Sequence, residues 1–229
     1  VNKYGSIYTT NSSINIDDSR LCNNHATMGG AIYSIDSDIE INNTIFSSNH
    51  AKCGGAIFHM GNTLLNINNS SFYNNTATVY EGGAIYGMYP YLYIESSNFT
   101  NNYANTTGGA ISLESSDLSS IEKSIFLNNT ANKIGTAVNI KRGNFDLTNN
   151  VIISNTNKNL ISFDDSSIYN INDNWWGVNN PDFKIVTNNI VPETWYVMQV
   201  TNTITNNTRK IKITLNTLNT GKVIKYTLP

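Results

Sequence analysis

Residues 82–111 decide the fold. They open on Gly82-Gly83-Ala84-Ile85, pass through Leu92, Ile94, Phe99, Asn102 and Ala104, and close on a second block, Gly108-Gly109-Ala110-Ile111. The same block precedes this stretch at residues 29–32 and 54–57. Degenerate copies flank the series as Tyr4-Gly5-Ser6-Ile7 and Ile134-Gly135-Thr136-Ala137-Val138. A self-similar period of this length marks a repeat architecture, so it is read before any single element.

A second spacing runs between the blocks. An aliphatic residue is followed five positions later by a large apolar residue and eight later by Asn. The copies are Ile16/Leu21/Asn24, Ile41/Phe46/Asn49, Ile67/Phe72/Asn75, Ile94/Phe99/Asn102, Ile121/Phe126/Asn129, Leu147/Ile152/Asn155 and Ile171/Trp176/Asn179. The large residues lie 25, 26, 27, 27, 26 and 24 positions apart. Each period holds short runs of period two separated by Asn, Gly and Ser, which predicts three short strands and three turns per unit. One unit cannot bury its apolar face alone, whereas stacked units bury a continuous core. The expected fold is all-β: a right-handed parallel β-helix of about seven coils over 1–181, with a short C-terminal β segment over 182–229. Asn24, Asn49, Asn75, Asn102, Asn129, Asn155 and Asn179 should form a structural ladder inside one corner. A four-stranded propeller blade needs roughly 40 residues, more than the unit contains.

Past Pro181 the pattern fades. Alternation predicts strands at 195–200, 210–215 and 222–228, either a cap over the open end of the helix or the start of a further domain. Solenoid ends need such covering because an open end is an edge for aggregation.

Composition narrows the function. The 229 residues carry a net charge of −2, and charged residues are only 13%, so no basic face for nucleic acid exists. No apolar run reaches the roughly 18 residues of a membrane span. The start, Val1-Asn2-Lys3, is neither an initiator Met nor a signal peptide, and the chain is read as a mature or excised piece.

The alternation of Gly-Gly-Ala-Ile with Phe-x-x-Asn (Phe46, Phe72, Phe99, Phe126) resembles the repeats of chlamydial polymorphic membrane proteins. It is also similar to the adhesin-like surface proteins of methanogenic archaea. The segment Asn174-Trp175-Trp176-Gly177-Val178-Asn179-Asn180-Pro181 favours the second, since a similar segment closes the β-helix in that family and a Trp-bearing strand like 195–200 opens an Ig-like region. The resemblance implies a non-enzymatic, extracellular cell-surface adhesin or stalk. Its partners would be glycans or proteins of other cells or surfaces, and no cofactor is implied. The alternatives are a polysaccharide-active β-helix enzyme (lyase, hydrolase or epimerase) and a passive envelope spacer.

Three side-chain sets bear on these readings. Glu95 and Glu122 occupy equivalent slots on adjacent coils at about 5 Å, within the range of a glycosidase pair. No third acid joins them, so no catalytic residue is assigned. Cys22, His25, His50 and Cys53 form a complete zinc set by residue type. Their spacing is not that of a finger and the two cysteines fall at different points of their coils, so no metal is assigned; a Cys22–Cys53 bridge stays open. The aromatic set carries the binding expectation. Tyr8, Tyr33, Phe58 and Tyr86 each follow the inward Ile of the repeat, and alternation should turn them outward as a strip. Tyr91 and Tyr93 flank Leu92 and should also face solvent. Tyr33, Phe58, Tyr86, Tyr91 and Tyr93 are the expected ligand-binding residues. Acceptor triplets Asn-x-Ser/Thr are frequent and would carry glycans on outer turns if the chain is exported.

Overall fold

The computed structural model describes residues 3–154, 159–164, 167–205, 208–225 and 228–229. Parallel strands stack as a β-solenoid of about six turns, slightly fewer than the spacing suggests. Four strands recur per turn rather than three. The first column contains Ile7–Thr10, Ile32–Ile35, Ile57–Met60 and Ile85–Met88; the second contains Ser13–Asp17, Asp38–Asn42, Leu64–Asn68 and Tyr91–Glu95. In the next two turns these columns merge into the long strands Ile111–Glu122 and Val138–Thr148. A third column runs from Arg20–Cys22 through Asn98–Thr100 to Val151–Ile153. The fourth is the two-residue strand His50–Ala51 with Thr76–Ala77, Tyr103–Ala104 and Thr130–Ala131. Its inward residue is a buried Ala, too small to register as an apolar strand signal in the sequence.

The repeated residues stack in register. Phe46, Phe72, Phe99 and Phe126 form one column with ring centroids 4.6, 4.8 and 4.9 Å apart and planes within 6° of parallel. That separation is the strand spacing itself, so face stacking costs no strain. In the Gly-Gly pair the two glycines have different tasks. Gly82 has φ +68°, a left-handed conformation. A Cβ on Gly83 would lie 2.0 Å from the Gly109 carbonyl oxygen of the next turn, so only glycine lets the coils approach there.

The corners explain the Asn content. Nearly every described non-glycine residue at positive φ is Asn, Asp or Ser; the exceptions are Tyr89, Leu118, Lys123 and Arg142. Short polar side chains tolerate this conformation, whereas branched apolar ones are strained in it.

Two polar columns lie inside the corners. Asn24, Asn49, Asn75 and Asn102 each donate Nδ2 to the Oδ1 of the next turn's Asn, ending on Asn129, at 2.8–3.0 Å. Nδ2 of Asn49, Asn75, Asn102 and Asn129 also bonds a carbonyl of the preceding turn: Leu21, Phe46, Phe72 and Phe99. Asn155 lies outside the described residues. Asn179 is not in this column. The chain leaves the coil path at Gly177, and exposed Asn179 instead pairs with both backbone groups of Met198. The second column was not anticipated. Thr44, Ser70, Ser97, Ser124, Asn150 and Asn174 accept from the backbone N–H of Ser19, Thr44, Ser70, Ser97, Ser124 and Asn150 respectively. All six sit two residues before the large apolar position, a regularity visible once the repeats are aligned.

The C-terminal end is closed by side chains. Trp176 joins the solenoid core and meets Phe183 edge-on at 6.1 Å; Phe183 meets Trp195 at 5.2 Å. Phe183 begins the short helix Phe183–Val186, N-capped by the Asp182 carboxylate. Trp175 turns outward and packs with Tyr196 and Leu218. Those two residues belong to an antiparallel hairpin, Tyr196–Thr205 with Thr208–Leu218. The expected strand at 222–228 does not form among the described residues; Val223 makes only an isolated bridge to Thr217.

Candidate binding face

The residues expected to form an exposed aromatic strip divide into two groups. Tyr8, Tyr33, Phe58 and Tyr86 do stack outside the main core, with centroids 5.7, 5.1 and 5.5 Å apart. Yet Tyr33, Phe58 and Tyr86 are only 7%, 5% and 8% exposed. The expectation that they present a binding surface is therefore corrected. Alternation sets their direction, but a second apolar layer covers them: Tyr4, Met28, Ile35, Cys53, Met60 and Met88. Met28 and Cys53 precede the Gly-Gly pair, and the sharp turn there folds them over the rings. This small outer core stabilises the sheet from outside.

Past Tyr86 the column becomes polar. The Tyr86 hydroxyl donates to Glu114 at 3.0 Å, and Arg142 reaches Glu114 at 3.5 Å. Ser112 donates to Glu81 at 2.8 Å, and Lys141 pairs with Glu81 at 2.5 Å. Burial, then the Glu114 carboxylate, raises the Tyr86 phenol well above its ordinary range, so it stays protonated and donates to Glu114. Residues from three successive turns converge here, and no single-repeat spacing reveals that.

Tyr91 and Tyr93 face solvent at 37% and 40% exposure. They lie on the outer face of the second strand column, where a row in register runs Glu40, Asn66, Tyr93, Ser120, Asp146 and Asn170. Beside it, Glu95 is in register with Glu122, and Lys123 pairs with Glu95 at 2.6 Å. A groove of about 420 Å³ on this face runs from Tyr93 to Tyr169 and Asn170.

The Cys/His set is not brought together. His25 and His50 stack at 4.5 Å on adjacent turns, and burial, then His25, lowers the His50 pKa. Cys22 accepts from the Ser47 hydroxyl at 2.9 Å, whereas Cys53 lies in the outer core. Both thiols are free, and no cluster of three metal-binding side chains occurs among the described residues. Burial pushes the Cys53 thiol up to about 12. Iodoacetamide on native protein at pH 8 should therefore label Cys22 well before Cys53, and both only after unfolding. Equal native rates would place Cys53 at the surface.

The Chlamydia polymorphic membrane protein repeat matches at residues 43–59, 69–88 and 96–114, three successive turns of the solenoid. No curated protein and no solved structure matches the chain. Among the described residues no helix is long and apolar enough to cross a membrane.

Proposed function

We propose that this chain is a segment of a non-enzymatic, adhesin-like protein displayed at the cell surface, where it contacts glycans or proteins of other cells. The observation that carries the reading is the similarity of three consecutive turns to polymorphic membrane protein repeats. The Asn-Trp-Trp-Gly segment supports an affinity with methanogen adhesin-like proteins. In this fold one of its tryptophans ends the core and the other holds the hairpin.

A solenoid suits such a role. Each turn contacts only its neighbours, so outer side chains vary without disturbing the core. The contact surface lies around Tyr91 and Tyr93, the exposed members of the expected set. Antibodies against residues 3–154 should label intact producing cells, and protease treatment of those cells should remove the label. Labelling only after lysis would end this reading. On the molecule, replacing Tyr91 and Tyr93 together by Ser should abolish attachment to cells while shifting stability by about 0.5 kcal/mol or less per site, as for surface positions generally. Tyr86→Ser should instead destabilise the fold, because its ring is buried.

A further inference from the structure

The geometry points to the groove between Tyr93 and Tyr169 as a binding site for a short, uncharged oligosaccharide. This deepens the surface reading above and rests on it for its biological setting, though its chemistry stands on the groove alone.

The groove exists because the repeat is broken there. In the two long strands the corner between the first and second columns is opened out, and their register shifts between Ser116 and Ser119. Leu118 sits in that irregularity with φ +57° and 64% exposure. A branched apolar residue held in the left-handed region and turned to water is costly twice over, and such strain collects at functional positions. Ile168, two turns further on, is 71% exposed and extends the same rim.

The floor is polar and periodic. Tyr93, Ser120, Asp146 and Asn170 succeed one another in register, spanning about 14 Å at ~4.8 Å per turn. That is the length of a short oligosaccharide, and the row alternates groups able to donate to and accept from hydroxyls. Tyr93 opens this row, and Tyr169, in register with core Phe145 rather than with the row itself, also lines the groove. Tyr93 is 40% exposed, and Tyr169 is 38% exposed yet held by stacking on Phe163 at 4.4 Å. Rings of this kind present a rigid apolar face at low entropic cost, suited to the C–H face of a sugar.

Charge selects the class of sugar. Glu122 and Asp146 line the groove and, among the described residues, no Lys or Arg does, so uronates and other acidic sugars are repelled. A peptide fits less well. Three of the four floor strands are already paired on both sides; only the four-residue strand Ser167–Asn170, at one end of the row, keeps a free edge among the described residues, which leaves strand addition little length.

The test uses the full chain and two probe sets of equal length: neutral hexose and N-acetylhexosamine oligomers, and uronate oligomers. Calorimetry and a glycan array should show binding to members of the first set and none to the second. Tyr93→Ala should weaken that binding by about tenfold or more, the scale of one aromatic anchor, with an unchanged melting temperature. Asp146→Ala should weaken it with the fold equally intact. Absence of binding to every neutral oligomer, preference for uronates, or affinity unaffected by both variants would each overturn the assignment. Labelling of intact cells reports on the surface reading independently. Surface display without saccharide binding sinks only the groove; saccharide binding by a protein confined inside the cell sinks only the surface reading.

Discussion

Asn102→Ala should destabilise the solenoid by on the order of 4 kcal/mol, and Asn101→Ala by about 1 kcal/mol, although the two residues are neighbours. Asn102 is fully buried, whereas Asn101 is exposed at φ +54°. The Asn102 oxygen accepts from both the backbone N–H and the Nδ2 of Asn75. Its Nδ2 donates to the Phe72 carbonyl and to Asn129. Truncation strands the Asn75 N–H in a corner closed to water and removes a donor from Phe72, each at about 1–3 kcal/mol, and it leaves a void beside the Phe column. At position 101 only a local preference for the left-handed region is lost. Chemical unfolding of both variants measures the difference; equal midpoints at equal slope would remove the amide column as a stabilising element.

Acid should unfold the protein in part through a single residue, His59. It is fully buried, in an interior row that reads Ser34, His59, Gly87, Leu113 and Ile140 along the first strand column. One ring nitrogen lies 3.1 Å from the Thr63 hydroxyl, and Nδ1 has no partner among the described residues. Burial lowers its pKa to about 4, against the smaller opposing pull of Thr63, Asp38 and Asp36. In the unfolded chain the imidazole titrates near 6.5. Between these values the unfolded state binds the extra proton and the native state does not, so stability rises with pH. The contribution is fully present above about pH 6.5, falls as pH drops toward 4, and changes no further below that. At about 1.4 kcal/mol per pH unit of separation, the loss is on the order of 3 kcal/mol. His59→Leu, the residue found at Leu113 in the same row, should flatten the stability profile over this window. Unfolding curves at pH 7 and pH 4.5 decide the matter; an identical acid loss in the variant would mean that His59 is already protonated or solvated in the fold.

The fold was legible because each repeat states the same demands. A glycine pair, an inward Ile, a large apolar residue and an Asn recur at nearly constant spacing, and only stacking satisfies all of them at once. The spacing of eight that ends on Asn coincides with bonded amides from Asn24 to Asn129. It fails at Asn179, where Gly177 redirects the chain. The fourth strand column was missed because its signal is a single Ala. The Ser/Thr/Asn column was missed because hydroxyl residues in corners read as ordinary turn chemistry, though here each side chain bonds the backbone of the turn before it. The binding face was half legible. Alternation correctly turns Tyr33, Phe58 and Tyr86 away from the solenoid interior, but direction does not determine exposure.

Periodicity and composition by themselves determined that this chain is a parallel β-solenoid, because stacking in register turns a linear repeat into columns of identical neighbours. Tertiary structure decided what each column meets. Met28 and Cys53 fold over the aromatic column and make it a second core. Opened corners in the two long strands bring Tyr93, Ser120, Asp146 and Tyr169 to one groove. The physical reason is one of range. A repeat specifies contacts one period apart, whereas a covering layer or a groove joins residues at unrelated positions in their repeats, and its closure depends on the path of the intervening backbone.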